Sequence, residues 1–244
     1  MTISGLQFQN LGTGAIVIEN SSNITVTAND FDNVVGAIYV FNSTNVTVTW
    51  NRYRNIGDGS IGSGHSNFVQ FNNVTGGYIA NNKGKGGNTE DIISMFQSQG
   101  SSASSPIVIE HNAFQGTTWT SGSGSGAMLG DAGGSHIVFR FNSLLSPGQV
   151  GIGVAGGTDI HMTDNIVYGE VLPLSNVGVS VWNQYPTACS DIEVARNQVK
   201  WYRSDGVETP GWNAGNCGTV TGWDGTDTNN WHAPLDPATL AVTL

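Results

Sequence analysis

Short runs with apolar residues at every second position recur along the chain, each followed by an asparagine and, two places on, another apolar residue. They read NITVTANDF (23–31), NVTVTWNRY (45–53), GGYIANNKG (76–84) and PIVIEHNAF (106–114), then HIVFRFNSL (136–144), DIHMTDNIV (159–167) and DIEVARNQV (191–199). An imperfect first copy, TISGLQF (2–8), has Leu6 where the asparagine belongs. A second set follows each copy after a variable loop: GAIVIEN (14–20), GAIYVFN (36–42), NFVQFNN (67–73), DIISMFQ (91–97), GAMLGDA (126–132), GIGVAG (151–156) and VGVSVWN (177–183). Alternation of this kind predicts strands with one face inside. No segment carries the roughly 3.6-residue period of an amphipathic helix.

The asparagines Asn29, Asn51, Asn82, Asn112, Asn142, Asn165 and Asn197 are spaced by 22, 31, 30, 30, 23 and 32 residues. A repeat of this length cannot bury its apolar face alone, so repeats stack as a parallel β-solenoid with one continuous core. An asparagine at one fixed position per repeat predicts an internal ladder. Its amide both donates and accepts between neighbours, and asparagine tolerates the left-handed backbone of a tight turn. The repeat occupies residues 1–218. Residues 219–244 leave it and carry Trp223, Trp231, Pro234 and Pro237, which predicts a segment capping the last coil. The first coil has no such cover. The expectation there is a missing N-terminal region or self-association with another copy.

This layout resembles the right-handed parallel β-helix superfamily, which includes pectate lyases, polygalacturonases and phage tailspikes. The resemblance spans residues 2 to 218 and implies an all-β, single-stranded right-handed β-helix of about eight coils with three strands each. It places the asparagines in the short turn between second and third strands. It also implies a substrate cleft along the outer face of the first strands, walled by long loops. The catalytic signatures of these enzymes are not visible: Gly64-His65-Ser66 is a poor echo of a Gly-His-Gly motif, and the arginine–proline pattern of pectate lyases is missing.

Composition narrows the partners. With 18 acidic against 8 Lys and Arg residues, the net charge of −10 argues against general nucleic-acid binding, which needs a broad basic face. No apolar run approaches the roughly 18 residues of a membrane span, and no secretion signal opens this chain. The two cysteines, Cys189 and Cys217, sit at matching points of consecutive turns, roughly 4.8 Å apart if stacked, and are expected to pair. A disulfide implies an oxidising, extracellular setting. The Asn-X-Ser/Thr sequons are expected by chance in a repeat built from Asn and Thr.

Register assigns outward columns. On the second strands, Glu110 falls beside Arg140 and His161 beside Glu193, and a turn column puts Asp164 beside Arg196, as surface ladder pairs. On the third strands, Asp30, Arg52, Lys83 and Asp32, Arg54, Lys85 form a basic block, read either as a solvated face or as a site for carboxylate or sulfate groups. On the first strands, Tyr39, Phe41, Gln70, Phe96, Leu129, Asp131 and Trp182 point outward. Aromatic, amide and hydroxyl groups together suit sugar rings. The alternative is that loops, including Trp119, cover these aromatics. Gly151 and Gly153, behind the short SPGQ connection, leave a dip that is the expected cleft.

The functional expectation is a secreted polysaccharide lyase or related depolymerase acting on a polysaccharide or oligosaccharide. The alternative is a non-catalytic glycan-binding or structural solenoid, such as an adhesin or tailspike segment. Catalytic candidates are Asp131, Lys83, Lys85 and His65: a lyase needs a base near the sugar and cations to neutralise a uronate. Substrate-binding candidates are Tyr39, Phe41, Gln70, Phe96, Trp119, Trp182, Arg52 and Arg54. No cluster has calcium-site spacing, so neither metal nor cofactor is expected. Asp131 is the acid placed on the cleft strands. It is read either as a general acid or as a residue capping the turn Ala132-Gly133-Gly134.

Overall fold

The computed structural model describes residues 1–57, 66–116, 124–224 and 228–244. The described residues are all-β apart from one short helix, Pro237–Leu240. Each strand pairs in parallel with its counterpart in the next repeat, as for Ser22–Thr27 with Thr44–Thr49 and then Thr75–Ala80. Third and first strands run together as Gln7–Glu19 and Asp30–Phe41, the latter within the shortest asparagine spacing, and first and second run together as Ser125–Arg140. No helix is long and apolar enough to cross a membrane among the described residues.

Alternation sends Val26, Val48, Ile79, Ile109, Phe139, Met162 and Val194 into the core, with first-strand residues such as Ile38, Val69, Ile93 and Ile152 meeting them. Phe31, Tyr53, Phe68 and Phe114 stack through one end of this core. Gly84 is required there, since a Cβ would lie 1.9 Å from the Tyr53 ring. Complete burial pushes the Tyr53 hydroxyl far above its ordinary pKa.

The asparagine side chains are buried and join repeat to repeat. The amide of Asn29 donates to Oδ1 of Asn51 at 3.0 Å, and the same bond recurs from Asn51 through Asn82, Asn112, Asn142, Asn165 and Asn197 to Asn229. Each Oδ1 also accepts the backbone N–H of the preceding asparagine, as from Asn82 to Asn112 at 3.0 Å. The second amide hydrogen reaches a core-strand carbonyl, such as Ile79 for Asn112. Nearly full satisfaction is what makes a row of buried amides tolerable. Two points differ from the sequence reading. Asn229 continues the row beyond the repeat. The left-handed residue is the one before each asparagine: Ala28, Trp50, Asn81, His111, Phe141, Asp164 and Arg196 have φ between 55° and 58°, except Phe141 at 54°. That turn aims the asparagine inward and the preceding side chain outward, leaving Trp50 63% and Phe141 48% exposed.

Cys189 and Cys217 form a disulfide with their Cα atoms 4.6 Å apart. The C-terminal segment does more than cover the last repeat. Trp223 packs on Trp231 at 4.8 Å, and Asn230 pairs beside Gln198. The chain then turns back along the third strands. The helix Pro237–Leu240 is capped by Asp236, Val242 N–H donates to Gln115 Oε1 at 3.0 Å, and Leu244 lies beside Gln7, Gln9, Arg52 and Arg54.

Candidate functional site

The parallel register stacks one outward residue per repeat along the first strands: Val17, Tyr39, Gln70, Ser94, Met128, Gly153, Ser180 and Trp212. Met128, not Leu129, is the outward residue of its repeat; Leu129 is fully buried opposite Val154. The register shifts between Ser94 and Phe96, where Gly130 takes a φ of 63° on the facing strand, and Asp131 comes to lie opposite Phe96. The sequence reading missed this bulge because it assumed unbroken alternation.

At the N-terminal end of this face the aromatics fold down. Tyr39 lies over Gly14 and Gly36, where a Cβ would come within 2.7 and 1.9 Å of it, and stacks on Phe41 at 6.4 Å. Gln70 and Phe96 are half-buried. Farther along, large and small residues alternate and space opens. Gly153 carries no side chain, Met128 lies across it (its Sδ would be 2.8 Å from a Cβ there), and Ser180 follows. The result is a groove of about 590 Å³ lined by Met128, Gln149, Asn176, Ser180, Trp182, Gln184, Thr209 and Trp212, among others. It sits at the dip expected around Gly151 and Gly153.

Two indoles wall the groove. Trp182 is 46% and Trp212 47% exposed, their ring centres 6.0 Å apart at an interplanar angle of 69°. Both precede an asparagine, yet Trp212 lies opposite Ser180 rather than Trp182, so the rings occupy adjacent columns and meet edge to face. Trp212 was missed in the sequence. Its strand is only Gly211–Asn213, too short to show alternation. Around the indoles are the amides of Gln149, Asn176 and Gln184 and the hydroxyls of Ser180 and Thr209; Arg203 is the charged residue of this lining and is paired with Asp205.

Two acids of the first strands, Asp131 and Asp91, lie outside the lining of the groove. Tyr185, next to Gln184 of the groove, hydrogen-bonds Asp131; burial raises the Tyr185 pKa, and the charge and hydrogen bond of Asp131 add to the rise. On the neighbouring strand Asp91 is buried. Desolvation lifts its carboxyl to about 8 against the opposing hydrogen bond from Ser125, and the charges of Glu90 and Asp131 add to the rise. Asn67 accepts the Asp91 N–H at 3.1 Å, while its own Nδ2 is buried without a partner. Asp91 can thus hold a proton at neutral pH; it lies opposite Ser125, whereas Asp131 lies opposite Phe96, five positions farther along the strand.

The remaining candidates lie elsewhere. Arg52, Arg54, Lys83 and Lys85 stand on the third strands, where Arg52 forms a two-bond pair with Asp30 at 2.8 and 2.9 Å. They do not line the groove, and the basic block and Asp131 are not brought together. His65 and Trp119 lie outside the described residues.

The second strands and the turns that follow them carry the anticipated pairs: Arg140 with Glu110 at 2.7 Å, His161 with Glu193 at 2.6 Å and, in the turns, Arg196 with Asp164 at 2.9 Å. Each is part of something larger. Tyr78 also donates to Glu110, at 2.8 Å. Asp159 bridges His136 at 2.5 Å and His161 at 2.8 Å. The His136 hydrogen bond holds the Asp159 carboxyl below its ordinary pKa. Burial disfavours the His161 charge, but its bonds to Glu193 and Asp159 outweigh burial and raise its pKa. These groups consume one another's hydrogen-bonding capacity.

No protein-family model, no curated protein and no solved structure matches this chain.

Proposed function

We propose that the protein is a secreted right-handed parallel β-helix of about eight coils, pectate-lyase-like in layout, that binds a polysaccharide or oligosaccharide in the first-strand groove. One observation carries this reading: Trp182 and Trp212, both about half exposed, wall a groove whose remaining lining is mostly amide, hydroxyl and small side chains. Indole faces suit the C–H faces of sugar rings, and amides and hydroxyls suit their edges. The disulfide favours an oxidising, extracellular location. Screening the purified protein against a glycan panel, alongside Trp182→Ala, tests it. A binding glycan whose affinity falls about 30-fold in the variant is expected, the loss of a tryptophan hot spot of about 2 kcal/mol.

A depolymerase is the second reading, favoured by the buried carboxyl of Asp91 and by Asp131, which bonds Tyr185 next to the groove residue Gln184. The carboxyl of Asp91, raised to about 8, suits a general acid, and Asp131 with Tyr185 suits proton transfer or orientation of a sugar hydroxyl. This chemistry belongs to the acids rather than to Lys83 and Lys85. Following reducing ends and unsaturated products in the same screen distinguishes hydrolysis, elimination and binding without turnover. Turnover that survives both Asp91→Asn and Asp131→Asn would remove the acids from the reaction.

A further inference from the structure

The chain has 8 Lys and Arg residues, and their partners can be followed one by one. Arg52, Arg140, Arg196 and Arg203 are ion-paired with Asp30, Glu110, Asp164 and Asp205. Lys200 lies over the Tyr202 ring at 5.8 Å. That leaves Arg54, Lys83 and Lys85, none of which has an ion-pair partner among the described residues. All three are exposed, and they are neighbours. Arg54 stands opposite Lys85 on adjacent third strands, and Lys83 is two residues before Lys85 on the same face.

This arrangement is costly. Strands lie about 4.8 Å apart, so Arg54 and Lys85 are like charges directly opposed, and such pairs destabilise a sheet. A chain with 18 acidic residues has carboxylates to spare, and it places them beside its other arginines. Here Asp32 stands opposite Arg54, as Asp30 does opposite Arg52, yet forms no ion pair with it among the described residues. At one end of the row is a cleft of about 210 Å³ lined by Gln7, Gln9, Asp30, Asp32, Arg52, Arg54 and Leu244, among others.

We propose that Arg54, Lys83 and Lys85 form a site for the acidic substituents, carboxylate or sulfate, of a glycan, distinct from the tryptophan groove. The cations are spaced about 4.8 Å across strands and about 6.6 Å along one, so an extended chain can set successive anions against them. A nucleic acid is disfavoured: three cations on a protein of net charge −10 are a narrow strip, not a broad basic face. The role is anion binding, not the proton abstraction expected of Lys83 and Lys85 in a lyase, because the strip is apart from the acids of the first strands. Only the identity of the polymer as a glycan rests on the function proposed above.

The test is titration calorimetry of the full chain with a polyuronate, a sulfated glycan, an uncharged glucan and a single-stranded oligonucleotide, at low and high salt. At least one acidic glycan is expected to bind about tenfold more tightly than the uncharged one at low salt, and to lose that advantage at high salt. The triple variant Arg54→Gln/Lys83→Gln/Lys85→Gln removes the advantage while its melting temperature holds or rises, because repulsion is relieved. Trp182→Ala/Trp212→Ala keeps the advantage, so failure of the groove and failure of the strip are read separately. An advantage unchanged in the triple variant, or no advantage in the parent, overturns the proposal. Oligonucleotide binding as tight as that of the acidic glycans overturns its assignment to a glycan.

Discussion

The outer faces of the first and second strands are built by the same parallel stacking and end in opposite states. On the second strands a charged or polar residue meets a complementary one in the next repeat: Tyr78 with Glu110, Glu110 with Arg140, His136 with Asp159, His161 with Glu193. On the first strands Met128, Gly153, Ser180 and Trp212 follow one another, large and small, with no such match. Stacking puts consecutive side chains about 4.8 Å apart whatever they are. A column of complementary groups therefore closes on itself, whereas a column of mismatched sizes leaves room. The groove is the place where the solenoid declines to satisfy itself.

If that contrast is right, the two faces respond differently to substitution, while the buried asparagines beneath them serve both. Asn112→Ala is the largest lesion. It leaves the backbone N–H and the amide of Asn82 without their acceptor, two buried donors costing about 1–3 kcal/mol each. Urea denaturation should show a loss of about 3 kcal/mol or more.

Next comes Asp91. Its folded-state pKa is raised to about 8 from an ordinary 3.8, so the folded state holds a proton that the unfolded chain releases. Stability is therefore expected to fall as pH rises between these values. Asp91→Asn, a mimic of the protonated acid, should flatten that fall and unfold at a higher temperature than the parent at pH 8. A variant with the parent's pH profile would show that Asp91 is not held protonated.

On the closed face, Glu110→Gln should cost about 1 kcal/mol, the worth of a half-buried pair with its extra hydrogen bond, and leave glycan binding untouched. The histidine network contributes least and has a definite pH window. Asp159, with its depressed pKa, adds stability above the unfolded carboxylate value near 3.8 and loses it as pH falls through the folded value. His161, with its raised pKa, adds stability below the unfolded value of 6.5 and loses it as pH rises through the folded value. The contribution is therefore fullest on the acid side of neutrality. His161→Gln should lower the melting temperature at pH 5.5 more than at pH 8.

These features were unequally visible in the sequence. The asparagine spacing showed the repeat, and counting from it placed Glu110 beside Arg140 and His161 beside Glu193, because those strands alternate without interruption. The same counting failed at Leu129, where the bulge at Gly130 breaks the alternation. Trp182 was found by its register. Trp212 was not, since its strand is too short to carry a pattern. Tyr185 reaches Asp131 from a loop of no periodicity, and the return of residues 233–244 along the third strands has no repeat to announce it. Periodic segments declare their neighbours; contacts made by aperiodic ones depend on how the chain closes in space.

Trp50 provides a control for the groove. Trp50 is 63% exposed, more than either groove indole, but sits on a turn outside the groove. Calorimetric titration of the tightest glycan from the panel should show affinity falling about 30-fold or more in Trp182→Ala/Trp212→Ala and unchanged in Trp50→Ala, with all three proteins melting alike. Equal affinity in the parent and the double variant, or an equal loss in Trp50→Ala, would contradict glycan binding in the groove.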